Sequence, residues 1–284
     1  MTPQLPAIVD AVIPASQVVP TDPDVLRSDI GTTEGASSRP TVSLVIPAMN
    51  EAKNLPHVAE QIPDGIDEII YVDGHSVDNS IEVARLLWPE AKILTQTRRG
   101  KGNALACGFR EATCAIIVMI DADGSTDPTE IPAFVDALVE GADYAKGSRF
   151  VADGGSSDIT VLRKAGNKVL NTLVNWTFRS SFSDLCYGYN AFWRHHVPVM
   201  GLPDVDAPAA QWGDGFEIET LINVRVAKAG LTIAEVPSFE HDRIHGRSNL
   251  NAVRDGLRVL RTIGKEARAG RSSTPTATSP AVSR

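Results

Sequence analysis

Two aspartates stand one residue apart at Asp121-Ala122-Asp123, directly after the apolar segment 115–120. Carboxylates this close repel each other unless a cation or strong hydrogen-bond donors neutralise them. Hard oxygen ligands suit Mg²⁺ or Mn²⁺, which bind one or two carboxylates together with substrate phosphates. The pair therefore predicts a divalent-metal site. The alternative is that Asp123-Gly124 only opens a turn, and for Asp127, which precedes Pro128, we favour the start of a helix.

Two other polar segments occupy comparable positions. Asp73 follows the apolar run 68–72, and Gly74 after it permits a tight turn. This carboxylate could accept a hydrogen bond from a nucleobase or a ribose. The segment Arg98-Arg99-Gly100-Lys101-Gly102 precedes a helical pattern, where glycines and cations favour an anion. Its spacing is not that of a P-loop, so by itself it is only a weak indication of phosphate binding.

Short apolar runs alternate with helical patterns through the first half of the chain. Strands are predicted at residues 41–46, 68–72, 91–95 and 115–120, and helices at 78–87 and 102–112. This alternation predicts right-handed crossovers and a mostly parallel, Rossmann-like α/β sheet flanked by helices. The carboxyl ends of such strands meet at one edge, where ligands bind. That edge would gather Asn50, Glu51, Asp73 and the Asp121–Asp123 pair. The second half predicts helices near 162–178 and 215–228, a strand at 231–236 and a helix at 250–268.

Composition sets the domain limits and excludes some functions. Residues 1–40 and 269–284 are rich in Pro, Ser and Thr, which predicts disordered tails around one domain at 41–268. The formal net charge of −8 argues against a nucleic-acid binder that relies on overall positive charge. The three cysteines lack metal-ligand spacing, and reduced thiols fit a cytoplasmic location. We find neither a signal peptide nor an apolar run of about 20 residues, so we expect a soluble or peripheral protein.

Taken in order, several segments resemble the family 2 glycosyltransferases and, within them, the polyprenyl (dolichyl) phosphate sugar synthases. The resemblance covers about residues 41–262, and the order and spacing of its motifs are more specific than any one motif. The matching segments are residues 46–51, 72–78, 100–105, 121–128, 147–149, 184–192 and 243–250.

The resemblance implies a GT-A fold and inverting transfer of a hexose from a nucleotide-sugar donor, of the GDP-mannose or UDP-glucose type, to polyprenyl phosphate. It implies Mg²⁺ or Mn²⁺ as cofactor, with Asp121, Asp123 and Ser125 at the metal. The implied nucleotide-binding residues are Pro47, Ala48, Asn50, Glu51, Asp73, Lys101 and Asp121. The implied acceptor-binding residues are Arg149, Arg163, Asn167, Arg243 and Ser248. The expected catalytic residues are Asp121, Asp123, Arg149, Arg243 and Asp214.

Three departures from the synthases bear on this expectation. Ser125 stands where they often carry Gln, Asn167 where they often carry Ser, and Asn249 where they often carry Lys. The departures at Asn167 and Asn249 leave the identity of the acceptor more open than the identity of the donor. An acceptor phosphate is already ionised near neutral pH, whereas a sugar hydroxyl would need a general base. Asp214 is our first choice for that base. The alternative is that the acids of 214–219 only stabilise a helix N-terminus.

The last predicted helix carries an apolar stripe beside a basic one. Val253, Leu257, Leu260 and Gly264 share one face, and the neighbouring face holds Arg254, Arg258, Arg261, Lys265 and Arg268. Such a helix can lie on an anionic membrane surface. A helix packed on the domain with a solvated basic face explains the pattern equally well.

Two other functions compete with a polyprenyl-phosphate acceptor. One is a family 2 enzyme that acts on a sugar, protein or small-molecule hydroxyl. The other is a noncatalytic nucleotide-sugar-binding protein.

Overall fold

A computed structural model describes residues 39–157, 159–246 and 252–269, with side chains in the last range from Gly256 onward. From Pro40 onward, the described residues belong to one compact unit. Nearly all of the two predicted tails lies outside the described residues, as do Ser248 and Asn249. The side chains of Val253 and Arg254 lie outside them as well.

Within the described residues, most strands belong to one twisted sheet of seven strands. The strands are β1 (Val42–Ala48), β2 (Glu68–Asp73), β3 (Lys92–Thr95), β4 (Ile116–Met119), β5 (Tyr144–Ser148), β6 (Gly155–Ser156), β7 (Asn190–Trp193), β8 (Ile233–Pro237) and β9 (Phe239–Glu240). Their order in the sheet is β3-β2-β1-β4-β7-β5-β8, and β6 pairs with β9 in a separate two-stranded ladder. All neighbours in the large sheet run parallel except β7, which is antiparallel to both β4 and β5.

Helices cover both faces of this sheet. They are α1 (Leu55–Gln61), α2 (Ser80–Leu87), α3 (Lys101–Glu111), α4 (Ile131–Val139), α5 (Val161–Phe178), α6 (Val197–Met200), α7 (Glu217–Ala229) and α8 (Ala252–Arg268). Every residue of β4 is buried, because apolar side chains pack on it from both sides. A third apolar cluster joins α5, α7 and α8 through Leu170, Val174, Val224, Val259 and Ile263. No helix in the described ranges combines the length and apolar character that crossing a membrane requires.

The predicted fold class is confirmed. Each predicted strand and helix is present with bounds shifted by a few residues. The prediction did not include β5 or β7, nor the antiparallel insertion of β7 in the middle of the sheet.

Candidate active site

A cavity of about 1080 Å³ opens beyond the carboxyl ends of β1, β2 and β4, between α3, α5, α7 and α8. It gathers most of the predicted site residues. Those that line it are Pro47, Ala48, Glu51, Lys101, Asp121, Asp123, Ser125, Arg149, Arg163, Asn167 and Arg243. Asn50, Asp73 and Asp214 do not line it. Most of the residues predicted to meet at the carboxyl edge of the sheet do line the cavity. The prediction did not distinguish residues in the cavity wall from residues that lie behind that wall.

The two carboxylates of the Asp121–Asp123 pair each have a cationic partner. Lys101 Nζ lies 2.5 Å from Asp121 Oδ1, and an Arg243 nitrogen lies 2.6 Å from Asp123 Oδ2. Asp123 also accepts hydrogen bonds from the backbone N–H and the hydroxyl of Ser125, at 3.0 and 2.7 Å. The repulsion expected of the pair is thus offset by basic side chains. The Ser125 hydroxyl is placed to orient Asp123 rather than to be a metal ligand of its own.

A divalent ion fits this donor set. Within the described ranges, no group of three or more His, Cys, Asp or Glu side chains could hold a metal. The protein would then supply Asp121 and Asp123 alone, and substrate phosphates and water would complete the coordination, as Mg²⁺ usually requires.

Lys101 is the first residue of α3 and bridges two carboxylates. Its Nζ lies 2.5 Å from Glu219 as well as from Asp121. Burial would lower the pKa of Lys101, but the charges of Asp121 and Glu219 outweigh burial and raise that pKa above its ordinary value. The ammonium is therefore a permanent positive charge in the cavity wall. Glu219 belongs to the acidic segment 214–219, but its contact with Lys101 was not predicted, because the two residues are distant in the sequence.

The N-terminus of α3 is not the free anion site that its glycines and cations suggested. The backbone N–H groups of Gly102 and Asn103 donate to the carbonyl of Asp214, at 2.8 and 3.1 Å. Gly100 has φ 126°, a conformation that favours glycine, and a side chain there would overlap the same carbonyl. Lys101 and Arg99 are the cations of this segment that face the cavity.

Asp214 is held by Arg98, behind the cavity wall. Arg98 donates to both carboxylate oxygens, at 2.8 and 2.7 Å, and both side chains are largely buried. Burial would raise the pKa of Asp214, but the hydrogen bonds from Arg98 and from the backbone of Gln211 outweigh it and lower that pKa. A carboxylate that is already saturated with donors and turned from the cavity is a poor general base. This placement argues against the role expected for Asp214 and favours the structural alternative.

Arg149, one of the expected acceptor-binding residues, lies in a network of carboxylates. Arg149 donates to Asp184 at 2.6 and 2.9 Å and to Glu240 at 2.8 Å, and its guanidinium lies 4.8 Å from the centre of the Tyr187 ring. Asn167 donates to Asp184 at 2.9 Å, while its own buried carbonyl oxygen has no partner among the described residues. Two acids therefore neutralise Arg149. Arg149 therefore offers less uncompensated positive charge than a dedicated phosphate-binding arginine would. The family resemblance did not indicate its pairing with Asp184 and Glu240.

Arg243 belongs to a segment, residues 241–246, that lines the cavity beside Asp123. Besides Asp123, it contacts Glu51 at 3.0 Å. The segment is held by Asn54, whose side chain accepts from His245 N at 2.9 Å and donates to His245 O at 3.2 Å. Burial raises the pKa of Glu51, against the opposing effects of Asn54 and Arg243. Arg243 therefore lies beside the Asp121–Asp123 pair, and its expected part in acceptor binding stays a prediction.

Two buried oxygens at the carboxyl ends of β2 and β3 can accept hydrogen bonds. Asp73 is almost fully buried; its Oδ2 accepts from Ser76 N at 2.9 Å, and its Oδ1 has no partner in the described part of the chain. The same holds for Oε1 of Gln96, a cavity residue that sequence reasoning missed. Asn50, by contrast, accepts from Val77 N at 2.8 Å and its backbone N–H donates to Ser76. Its side chain joins two loops rather than lining the cavity.

Comparison with known proteins gives one family. The family model described as glycosyl transferase family 2 matches residues 43–197. Glycosyltransferase AglJ of Haloferax volcanii is 32% identical over 218 residues, which cover 76% of this chain and 68% of that protein. An uncharacterized glycosyltransferase of Mycobacterium tuberculosis is 27% identical over 219 residues, 74% of this chain and 89% of the other.

Solved structures share the fold. Glucosyl-3-phosphoglycerate synthase from Mycobacterium tuberculosis, in complex with Mn²⁺, UDP and glucosyl-3-phosphoglycerate, superposes with a TM-score of 0.61 at 23% identity. The superposition covers 81% of this chain and 80% of that one. The same synthase with Mn²⁺, UDP-glucose and phosphoglyceric acid gives a TM-score of 0.62.

Proposed function

Because the chain belongs to the family 2 glycosyltransferases, we propose that its cavity binds a nucleotide-sugar donor and a divalent metal and transfers the sugar to polyprenyl phosphate. The observation that carries the proposal is the division of the cavity into two unlike ends. The donor end holds the Asp121–Asp123 pair. The other end, which we name the acceptor end, combines basic side chains with aliphatic ones, and this combination suits a lipid phosphate. Its lining includes Arg163, Arg258, Ile159, Leu162, Leu170 and Val259.

The charge of the cavity supports a metal at the donor end. The described residues that line it include seven acidic side chains against six Lys and Arg. A donor diphosphate brings further negative charge into this nearly neutral site. A divalent ion on Asp121 and Asp123 would compensate for it and stabilise the departing diphosphate. The Mn²⁺ and UDP in glucosyl-3-phosphoglycerate synthase, a protein of the same fold, agree with this assignment.

The side chains of this protein have distinct parts in the proposed reaction. Lys101 keeps a positive charge beside Asp121 and faces the diphosphate. Gln96, which lines the cavity, accepts a hydrogen bond from the nucleoside through its Oε1. The basic side chains of the acceptor end hold the lipid phosphate so that its oxygen can approach the anomeric carbon.

One bond forms and one breaks in the proposed transfer. An oxygen of the ionised acceptor phosphate bonds to the anomeric carbon from the face opposite the diphosphate. The bond from that carbon to the diphosphate oxygen breaks, and its electron pair leaves with the nucleoside diphosphate. No proton has to be removed from the acceptor. The buried pairing of Asp214 with Arg98 is compatible with a reaction that uses no base there.

The test is direct transfer to lipid. The full chain is incubated with labelled UDP-glucose or GDP-mannose, polyprenyl phosphate and Mn²⁺ or Mg²⁺, and the lipid is then extracted. We expect label in the lipid with one of these donors. Asp123→Asn should abolish the transfer, whereas Asp136→Asn, on the exposed face of α4, should not change it. Nucleotide release without labelled lipid would show a glycosyltransferase with another acceptor, such as a hydroxyl. No turnover with any donor would favour a noncatalytic binder.

A further inference from the structure

Helix α5 carries exposed apolar side chains on the side that faces away from the domain. Leu162, Val169 and Trp176 repeat every seven residues and are 69%, 65% and 82% exposed. The buried side of the same helix holds Leu170 and Val174 together with two asparagines, Asn167 and Asn171. In a surface helix of a globular domain, the side opposite the buried one is normally polar. Packing within the described domain therefore does not account for this stripe.

The neighbouring helix extends the same surface. Leu257 and Leu260 of α8 are 62% and 41% exposed, and α8 packs against α5. We name the surface formed by Leu162, Val169, Trp176, Leu257 and Leu260 the α5–α8 face. A contiguous exposed apolar surface with a polar rim is typical of an interaction site.

Basic side chains border the α5–α8 face. Helix α5 contains Arg163, Lys164 and Lys168 and no acidic residue. On α8, Arg268 is exposed, whereas Arg261 and Lys265 are exposed but lie over the ring of Trp212, 5.3 and 3.6 Å from its centre. Among the described side chains of α8, the acid Glu266 is buried and paired with Arg225 and Lys228. The face is thus positive on a chain whose formal net charge is −8. A partner with a negatively charged surface and an apolar interior would complement the α5–α8 face.

The α5–α8 face adjoins the acceptor end of the cavity. Leu162, Arg163 and Leu170 of α5 and Arg258 and Val259 of α8 line that end. The face and the cavity therefore share Leu162 and adjoin along α5 and α8.

We propose that the α5–α8 face docks on the surface of an anionic lipid bilayer. Aliphatic and Trp side chains enter the interfacial region of a bilayer, and Lys and Arg beside them attract anionic headgroups. A second copy of this chain is a poorer occupant, because two positive faces would repel each other. The docking goes beyond the proposed transfer and does not require it. With a polyprenyl-phosphate acceptor, it would place the cavity mouth where the acceptor resides.

The test uses the full chain and vesicles without donor or acceptor. We expect the protein to sediment with phosphatidylcholine vesicles that contain phosphatidylglycerol, and to do so less as salt rises. The double variant Val169→Gln/Trp176→Gln should bind at least about tenfold more weakly. The matched control Leu86→Gln/Val139→Gln changes two exposed apolar residues on α2 and α4 and should bind as the wild type does. Lys168→Glu/Arg268→Glu should reduce binding to anionic vesicles.

A second measurement tests the orientation. Brominated acyl chains should quench the protein fluorescence, and Trp176→Phe should lose most of that quenching.

Absence of sedimentation with anionic vesicles at low salt would overturn the proposal, as would equal binding by Val169→Gln/Trp176→Gln. A dimer that dissociates in this variant would assign the face to a second copy. Binding to polyglutamate but not to vesicles would point to an acidic protein partner. Either result would contradict docking of the α5–α8 face on a bilayer. Since no step of this test measures transfer, its failure leaves the proposed function untouched.

Discussion

At the scale of single residues, the Asp121–Asp123 pair is already neutralised within the protein. Lys101 pairs with Asp121 and Arg243 with Asp123. We infer that a divalent ion on Asp123 would share or replace its contact with Arg243, which would leave the guanidinium free to meet a donor diphosphate. Type and spacing of the two aspartates indicate a metal site, which stays a prediction. Their partners come from distant segments and could not be predicted.

Asp214 shows the same limit of sequence reasoning. Acid type and position made it the first choice for a base, and only the tertiary contact with Arg98 showed that it is occupied. We predict that Asp214→Asn lowers kcat by less than about tenfold, because a lost general base would cost about 10²-fold or more. Breaking the buried pair should instead lower the free energy of unfolding by about 3 kcal/mol. Turnover at saturating donor and urea unfolding measure the two effects. A large loss of kcat with unchanged stability would restore the base assignment.

At the scale of secondary structure, periodicity predicted the parallel half of the sheet and missed β5 and β7. The strand β5 contains a fully buried lysine, Lys146, which no hydrophobic pattern can indicate. Its ammonium donates to the carbonyls of Gly147 and Tyr187, at 2.8 and 2.7 Å. Burial lowers the pKa of Lys146 to about 8. The strand is therefore stabilised by a contact with the segment that precedes β7, and neither strand is apparent from its own residues.

The segment 241–246 depends on Asn54 for its position. We predict that Asn54→Ala lowers kcat/KM about tenfold, because it removes both hydrogen bonds to the backbone of His245 and loosens Arg243. The free energy of unfolding should fall by only about 1–3 kcal/mol. Steady-state kinetics with the donor varied would measure the effect. Asn79→Ala is the control, since Asn79 is exposed and makes no capping hydrogen bond with its side chain. Equal kinetics for the two variants would contradict a role for the segment.

Glu68, the first residue of β2, contacts three other segments at the amino ends of the parallel strands. Burial would raise its pKa, but hydrogen bonds from Lys92, Ser43 and Thr113 outweigh it and hold that pKa at about 2. Because the pKa is lower in the folded than in the unfolded state, the carboxylate stabilises the fold above its ordinary pKa of 4.5, and this contribution disappears as pH falls toward about 2.

We therefore predict that Glu68→Gln lowers the free energy of unfolding by about 2 kcal/mol at neutral pH, with allowance for the partly exposed Lys92. The difference from wild type should shrink on acidification below about pH 4. Urea unfolding at a series of pH values measures it. Glu60→Gln, at an exposed position of α1, should show little difference at any pH. A difference that stays constant down to about pH 2 would contradict the pKa assignment.

At the scale of the whole molecule, the cavity lies between one large sheet and the helices α5, α7 and α8, and its charges are nearly balanced. Metal is therefore expected to matter for the substrate and not for the fold, since Asp121 and Asp123 already have partners in the protein.

We predict that EDTA abolishes turnover but leaves the Tm of the free protein unchanged. The donor nucleotide should raise Tm together with Mn²⁺ or Mg²⁺ and much less without it, because a ligand that binds only the folded state stabilises it by mass action. At a ligand concentration of 100 Kd this amounts to about 2.7 kcal/mol. Asp123→Asn should lose the metal-dependent part of the shift, and Asp136→Asn should keep it. If EDTA alone lowered Tm, the metal would be structural. If the donor raised Tm equally with and without metal, Lys101 and Arg243 would suffice to hold the diphosphate, and the reaction would belong to the metal-independent type.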